Sequence, residues 1–316
     1  MARRTPDAGL AVTAAAGEPA AADTGARVRD FYPDPDDALV VDGLPAEQYH
    51  AVPALSASGA RTLMATCPAT YYSTSPLNPQ AVREDRALFD AGTAAHLAIL
   101  ELSQIDARVC WIAFDDFKSK PAQQARDEAR ARGQVPLLVK HGETLTALRR
   151  AIAAHPEAAR LLTGGVAERS IFWTRDGVRC KARLDYWQRA TQIAVDLKTT
   201  TTVAPDALQR KIADLAYYQQ VSWYSDAVEA AFGVTPERFP LVFVEAEAPH
   251  VVQVVDVHPR AVQWGHILNA KARAVVRECL AAGRWPGYRE TAVTLDLPLW
   301  VEQRLEYRMD QGEFTV

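Results

Sequence analysis

The chain has 316 residues, of which 48% are hydrophobic and 23% are charged, the composition of an ordinary globular protein. Its net charge of −4 excludes a globally basic protein that coats nucleic acid, although a locally positive groove remains compatible with it. Cys67, Cys110, Cys180 and Cys279 form no C-x-x-C pair, which predicts reduced thiols in a cytoplasmic protein and argues against disulfides or an iron–sulfur cluster. No apolar run approaches the roughly 18 residues that suggest a membrane span.

The first half of the chain is predicted to be mainly helical. Residues 1 to about 44 are rich in Ala, Gly, Asp and Arg and poor in aromatics, so we expect a mostly disordered leader. Helical periodicity and helix-capping residues then predict a series of helices. In chain order these are residues 56–67, 83–102, 116–132, 143–155 and 156–162.

The second half alternates strands with helices. Strands are predicted near residues 167–174, 178–187, 192–198, 241–245 and 251–257. Helices are predicted over residues 205–233, broken into two, and over 260–282, where Gly283 would form the C-terminal cap. We therefore expect an α/β fold with a central mixed β-sheet flanked by helices, and a C-terminal tail from residue 301.

Two of the predicted strands carry charged residues on one face. In the first strand, period-two alternation places one group on one side, namely Arg179, Lys181, Arg183 and Asp185. The other side would hold Cys180, Ala182, Leu184 and Tyr186. In the second strand, Asp196 and Lys198 share a face, opposite Val195 and Leu197. Neighbouring strands would thus bring Asp185, Asp196 and Lys198 together.

Two carboxylates beside an ammonium group suit the hydrolysis of a phosphate ester. Mg²⁺ prefers oxygen ligands and retains several waters, so Asp185, Asp196 and the backbone carbonyl of Leu197 would suffice to hold it. Lys198 could orient the attacking water or neutralise developing charge on the phosphate. A simple salt bridge between Asp196 and Lys198 at a strand end is the alternative.

Further motifs extend this pattern along the chain. They are the segment from Phe89 through His96 to Glu101, Glu168 to Trp173, Gln220 to Tyr224, Glu245 to Pro249, and Trp285 to Tyr288. Together with Asp185 and Asp196–Lys198, this order resembles the PD-(D/E)XK nuclease superfamily. It is most similar to the exodeoxyribonuclease VIII (RecE-like) branch of phage and prophage recombination systems. The resemblance covers roughly residues 45–300 and implies one nuclease domain with a restriction-endonuclease-like core.

The resemblance assigns roles to residues that the pattern alone leaves open. A lone histidine on an apolar helix is more often a core residue, but the resemblance makes His96 a metal ligand, with small Gly92 and Thr93 letting its helix approach closely. Glu168 could complete a second metal site or be only an exposed acid at the start of a strand. Gln220 and Tyr224 share a helix face and could contact the substrate backbone or brace Lys198.

Basic residues near these positions are candidates for contacts with DNA. Lys181 and Arg183 share the face of Asp185, and we expect them to contact phosphates of the DNA. We expect Tyr224 to contact the substrate as well. Arg83 and Arg86 are weaker candidates. The basic helix around Arg126 is more simply explained as a solvated face.

The leading hypothesis is therefore a Mg²⁺-dependent exonuclease, with Mn²⁺ as a substitute, that resects duplex DNA from 5′ to 3′. The resemblance implies a ring-shaped homo-oligomer and a single-strand annealing protein as partner, and no membrane is involved. Two alternatives are a DNA-binding module of this fold that has lost catalysis, and a phage protein that uses the fold to block a host repair enzyme.

Overall fold

A computed structural model describes residues 38–81 and 89–314. Residues 1–37 of the expected leader, and Arg83 and Arg86, lie outside this described part. No helix within it is long and apolar enough to cross a membrane.

The strands of the described chain form one large mixed sheet and one small sheet. In chain order they are β1 (Leu39–Val41), β2 (Leu55–Ser56), β3 (Val109–Ile112), β4 (Val135–Leu138), β5 (Val166–Arg175), β6 (Val178–Gln188), β7 (Ile193–Thr200), β8 (Pro240–Glu245) and β9 (Val252–Asp256). The large sheet has the order β1-β5-β6-β7-β8-β9, with β2 also paired to β6. Strands β3 and β4 form the small parallel sheet.

Helices cover both faces of the large sheet. In chain order they are α1 (Ala46–Ala51), α2 (Ala57–Ala65), α3 (Pro68–Thr74), α4 (Phe89–Leu100), α5 (Ile105–Arg108), α6 (Lys120–Ala131), α7 (His141–Ala154), α8 (Pro156–Leu161), α9 (Pro205–Asp214), α10 (Tyr217–Phe232), α11 (Pro259–Ala282) and α12 (Leu299–Asp310). The expected caps are present, since Ser56 Oγ accepts the Gly59 N–H at 3.2 Å before α2 and Gly283 ends α11 with a φ of 62°.

Two apolar cores lie on opposite faces of the sheet. The first packs α2, α10 and α11 against β6 through residues such as Leu63, Trp223 and Val276. The second packs α4, α7 and α8 against the other face through residues such as Leu97 and Leu148. This layering confirms the predicted α/β architecture with a central mixed sheet flanked by helices.

Strands β6 and β7 separate where the two predicted acids lie. Strand β6 pairs with β7 only at Tyr186, Trp187 and Gln188, and with β2 only at Cys180 and Lys181. Between these two short ladders, residues 182–185 of β6 have no strand partner on that edge. Strands β6 and β7 therefore diverge as a fork that begins at Asp185, next to the last paired residue, Tyr186.

The predicted alternation is correct for β7 but shifts phase in β6. Val195 and Leu197 enter the core under α4, on one face, as expected. Leu184 belongs to the opposite core, whereas Tyr186 joins the core under α4 and Trp187 returns to the other side. The expectation that Tyr186 shares a face with Leu184 is therefore wrong. The pairing with β5 is interrupted at this point, next to the positive φ of 50° at Glu168.

Both ends of the described chain are more regular than the sequence pattern predicts. The stretch expected to be a leader as far as residue 44 includes β1, whose three residues pair antiparallel with β5. The segment predicted as a tail from residue 301 lies mostly within α12. Strand β1 has only three residues, which is too short to produce a clear periodic signal.

A buried ion-pair network joins α10, α11 and the turn between β5 and β6. Asp226 is 3% exposed and lies 3.1 Å from Arg175 and 3.3 Å from Arg273. Arg273 also donates to Asp176 at 2.7 Å. Because removing one partner leaves buried charge uncompensated, this network fixes α10 and α11 on the sheet.

We predict that Asp226→Ala lowers the free energy of unfolding by about 3 kcal/mol, because Arg273 would lose its buried counter-ion. Urea denaturation followed by circular dichroism measures the change. The matched control is Arg284→Ala, which breaks the exposed pair with Glu290 and should change stability by less than about 1 kcal/mol. Equal losses in the two variants would contradict the structural role of the buried network.

Candidate metal centre

Three potential metal ligands meet at the fork between β6 and β7. They are His96 of α4, Glu168 of β5 and Asp185 of β6, and one ligand atom from each lies within 4.8 Å of the others. His96 Nδ1 is 3.7 Å from Asp185 Oδ2 and 3.8 Å from Glu168 Oε1. Two carboxylates and an imidazole at this separation could hold a divalent cation.

The second acid and the lysine form a pair on the other side of the fork. Asp196 is 1% exposed, and its Oδ2 lies 2.6 Å from Lys198 Nζ. Gln220 of α10 donates to Asp196 Oδ1 at 2.8 Å. The ring of Tyr217 lies 4.9 Å from Lys198 Nζ, measured to its centroid. Asp196 is therefore oriented from both sides, and Lys198 is held over an aromatic face.

A hydrogen bond bridges the two strands at the fork. The backbone N–H of Leu197 donates to Asp185 Oδ2 at 2.8 Å, although the regular pairing of β6 and β7 has ended one residue earlier. This bond holds Asp185 beside the segment that carries Asp196 and Lys198. The metal-ligand role of the Leu197 carbonyl stays a prediction.

The electrostatics of the cluster follow from crowded carboxylates in a buried setting. Burial and the negative charge of Asp196 raise the pKa of Asp185 to about 7. Burial alone would lower the pKa of His96, but Asp185 and Glu168 outweigh it and raise the pKa to about 9. Burial also acts to lower the pKa of Lys198, and Asp196 and Asp185 reverse this effect and raise it. The acids thus favour any cation placed among them.

Glu168 has a strained backbone inside β5. Its φ of 50° is left-handed, a region that costs a non-glycine residue about 1 kcal/mol. Burial tends to raise its pKa, yet interactions with His96 and then Arg183 lower it overall. Strain of this kind concentrates at functional sites. The conformation turns the carboxylate towards His96, so Glu168 lies at the cluster rather than serving only as an exposed acid at a strand entry.

The cluster opens into a cleft of about 780 Å³. Helix α2, helix α4 and the start of α10 line it, together with His96, Glu168, Asp185 and Lys198. Gly92 and Thr93 also face it. A Cβ built on Gly92 would meet no protein atom within 4 Å, so packing against the protein does not require a glycine here, and the effect of Gly92 and Thr93 on approach to a metal stays a prediction.

Lys181 is wrongly predicted as a phosphate contact. Its side chain is 3% exposed, and Nζ donates to the backbone oxygens of Tyr49, His50 and Val52 at 2.8–3.0 Å. An ammonium group has three protons, so all of them are used. Alternation identified the correct face of β6 but did not reveal that α1 and the loop after it cover this end of the strand.

Arg183 also donates hydrogen bonds to other groups of the protein. It donates to Ser170 Oγ at 3.1 Å and to the Leu44 oxygen at 2.7 Å, and its Nη1 lies 3.9 Å from Glu168 Oε2. Its guanidinium stacks over Tyr49, 4.4 Å from the ring centroid. Arg183 also lines the cleft, so its contact with a phosphate stays a prediction.

Gln220 and Tyr224 both reach the cleft from α10, as their spacing predicted. Gln220 braces Asp196 rather than Lys198. Tyr224 is half-buried, with its ring 6.1 Å from that of Phe239, and its contact with DNA stays a prediction. Three further residues of the cleft were not identified as functional: Tyr49, Tyr217 and Arg108. None of the three lies within a motif that the sequence pattern identified.

The residues present fit a hard divalent cation, because the donor set has two carboxylates and one imidazole converging within a few ångströms, with the Asp196 carboxylate near enough to raise the pKa of Asp185. The same set lacks the thiolates that softer metals prefer, since all four cysteines are elsewhere in the chain.

Comparisons with known proteins relate the chain to one family and to solved structures. The family described as "PDDEXK-like domain of unknown function (DUF3799)" matches residues 56–297. No curated protein matches the sequence. A "Putative exonuclease" from Eubacterium rectale aligns with 12% identity and a TM-score of 0.54, over 83% of this chain and 96% of that one. A phage-related exonuclease from Haemophilus somnus 129PT aligns with 10% identity and a TM-score of 0.32, over 75% and 99%.

The family match spans the fork, the three-residue cluster and the pair of Asp196 and Lys198, and extends over most of the chain. The protein therefore belongs to the PDDEXK-like domain family.

Proposed function

We propose that this protein is a Mg²⁺-dependent exonuclease that hydrolyses phosphodiester bonds of duplex DNA. One observation carries the proposal: the cluster of His96, Glu168 and Asp185 lies directly beside the buried pair of Asp196 and Lys198. A metal-ligating group next to a fixed ammonium is what phosphate hydrolysis requires. The exonuclease descriptions of two structural neighbours suggest the same reaction.

Each polar residue of the fork has a part in this reaction. Asp185, Asp196, His96 and Glu168 would hold the cation, which when bound supplies positive charge at the phosphate and lowers the pKa of water. Lys198 would donate to the phosphate oxygens and stabilise the charge that develops there. Gln220 keeps Asp196 in one orientation through its amide, and the Leu197 N–H does the same for Asp185.

The resemblance to RecE-like enzymes supplies the finer parts of the proposal. The enzyme would resect duplex ends from 5′ to 3′ and leave a 3′ single strand for an annealing protein, as part of recombination. The active form would be a homo-oligomer, and Mn²⁺ would replace Mg²⁺. Tyr224, at the wall of the cleft, would contact the substrate strand.

We predict that Lys198→Ala and Asp196→Asn each lower the rate of degradation of linear duplex DNA by at least about 100-fold, because each removes charge or orientation needed at the phosphate. Release of acid-soluble nucleotides in the presence of Mg²⁺ measures the rate.

Lys211→Ala is a matched control, because this lysine contacts Thr200 outside the cleft. It should leave the rate within about twofold of the parent. Full activity in both site variants would remove the assignment. DNA binding without hydrolysis in the parent protein would favour a binding module of the same fold.

His96→Ala should weaken Mn²⁺ binding by about tenfold or more, because one of three converging ligands is lost. Isothermal titration of the full chain with Mn²⁺ measures this affinity in the absence of DNA. His141→Ala, at the start of α7 and outside the cleft lining, serves as the control. Unchanged affinity in the His96 variant would exclude the histidine from the metal site.

The direction of resection gives a separate expectation. A blunt duplex labelled at one 5′ end should lose that label before a duplex labelled at the 3′ end loses its own. Gel analysis over a time course follows both labels. Earlier loss of the 3′ label would contradict the proposed polarity while leaving the nuclease assignment intact.

A further inference from the structure

The C-terminal arm, residues 287–314, extends from an otherwise well-packed domain. Its starting point is fixed, because Trp285 stacks on Tyr72 with ring centroids 4.5 Å apart and the Pro286 oxygen accepts the Ala69 N–H at 3.0 Å. From residue 287 to residue 300 every residue is exposed. The arm therefore leaves the body of the protein at one defined place.

The arm has the sequence of a segment that buries one face. Val293, Leu295, Leu297 and Leu299 alternate with polar residues or proline, which is the pattern of a half-buried extended segment. Leu295 is 85% exposed and Trp300 is 63% exposed. Among the described residues, no main-chain hydrogen bond to another main-chain group is recorded for residues 293–297. Within the described residues, the apolar side chains of this segment therefore have no apolar surface covering them, and its main chain makes no hydrogen bonds to a neighbouring strand.

Helix α12, which follows this segment, also has exposed apolar side chains. It has 12 residues and contributes none to a core, while Leu299, Trp300, Tyr307 and Met309 are exposed. Helices of this length are marginal in water without packing of an apolar face. A continuous exposed apolar surface of this kind marks an interaction site.

A complementary surface is present on the same chain. The outer face of α11, defined by Arg260, Trp264, Ile267 and Lys271, follows the i, i+4, i+7, i+11 spacing of one helix side. Trp264 is 55% exposed and Ile267 is 56% exposed, and both basic residues are exposed. The opposite side of α11 is packed against α10, where Gly265 approaches the Tyr218 oxygen. The outer face is thus apolar in its centre and positive at its ends.

The charges of the two surfaces are opposite. The acids of the arm outnumber its bases, which are Arg289, Arg304 and Arg308; the acids are Glu290, Asp296, Glu302, Glu306, Asp310 and Glu313. Arg308 pairs with Glu313 within the arm, Arg304 contacts the Trp300 ring, and Glu290 pairs with Arg284, which leaves Asp296, Glu302, Glu306 and Asp310 as the acids available to a partner. The remaining negative charge suits the basic ends of the outer face of α11.

We infer that the C-terminal arm docks on the outer face of α11 of a second copy of this chain. Each copy carries both an acidic apolar arm and a basic apolar receptor, the condition for association between identical subunits. Within the part of the chain that the structure describes, both surfaces remain exposed. The arm also has the size of one side of a standard interface, about 20–30 residues. The inference names the contact surface of the homo-oligomer and does not depend on nuclease activity.

The test measures mass in solution without DNA or metal. The mass of one chain is 34.7 kDa. Light scattering coupled to gel filtration should give the full-length protein a mass at least twice this value. The arm variant carries Leu295→Glu and Leu297→Glu, and the receptor variant carries Ile267→Glu. Both variants should be monomers, because association would bury the new carboxylates in the apolar contact. The control Val139→Glu changes an exposed apolar residue elsewhere and should keep the parental mass.

A mixing experiment identifies the receptor. Equal amounts of the arm variant and the receptor variant should form dimers, since one intact arm can meet one intact face. Circular dichroism melting of each variant checks that the subunits remain folded. A monomeric parent protein, a variant that keeps the parental mass, or a mixture that stays monomeric would overturn the inference. Nuclease activity in a monomeric parent would leave the proposed function standing while removing this one.

Discussion

The site depends on one hydrogen bond across the fork of the sheet, from the Leu197 N–H to Asp185 Oδ2. Regular pairing between β6 and β7 ends at Tyr186 and Val195, so the residues beyond would diverge without a further link. A hydrogen bond to a carboxylate contributes about 1.5–3 kcal/mol, enough to fix one side chain in one orientation. The bond keeps Asp185 near the strand that carries Asp196 and Lys198, while the open fork leaves room for a cation and a phosphate.

The helices then supply the remaining groups from opposite faces of the sheet. Helix α4 brings His96 from one side and helix α10 brings Gln220 from the other. The position of α10 is set by close packing, because a Cβ on Gly265 would come within 2.5 Å of the Tyr218 oxygen. Buried Asn269 adds hydrogen bonds to the Gln219 oxygen and to Ser222 at 3.1 Å. The amide that orients Asp196 is thus held by the α10–α11 contact, far from the acids themselves.

The sequence predicted the chemistry of the fork better than its surroundings. Alternation in β7 placed Asp196 and Lys198 on one face correctly, because that strand is regular up to its end. In β6 it was correct for Leu184 and wrong for Tyr186, since the positive φ of Glu168 on the neighbouring strand disturbs the ladder there. Local sequence carries no signal for this distortion.

Lys181 shows a second limit of the same kind. Its face was predicted correctly, but its role depends on three backbone carbonyls from a segment some 130 positions earlier in the chain, which no local pattern can reveal. The consequence reaches beyond one residue, because Arg183 is also engaged with Glu168, Ser170 and Leu44, and Arg108 with Glu101. Three of the cations lining the cleft, Lys181, Arg183 and Arg108, are therefore already engaged by groups of the protein. A divalent cation bound by the acids would add further attraction for a polyanionic strand, since such an ion is often the largest local charge in its site. The net charge of −4 is therefore compatible with the proposed DNA substrate, because the acids of the fork would hold a cation that attracts phosphate.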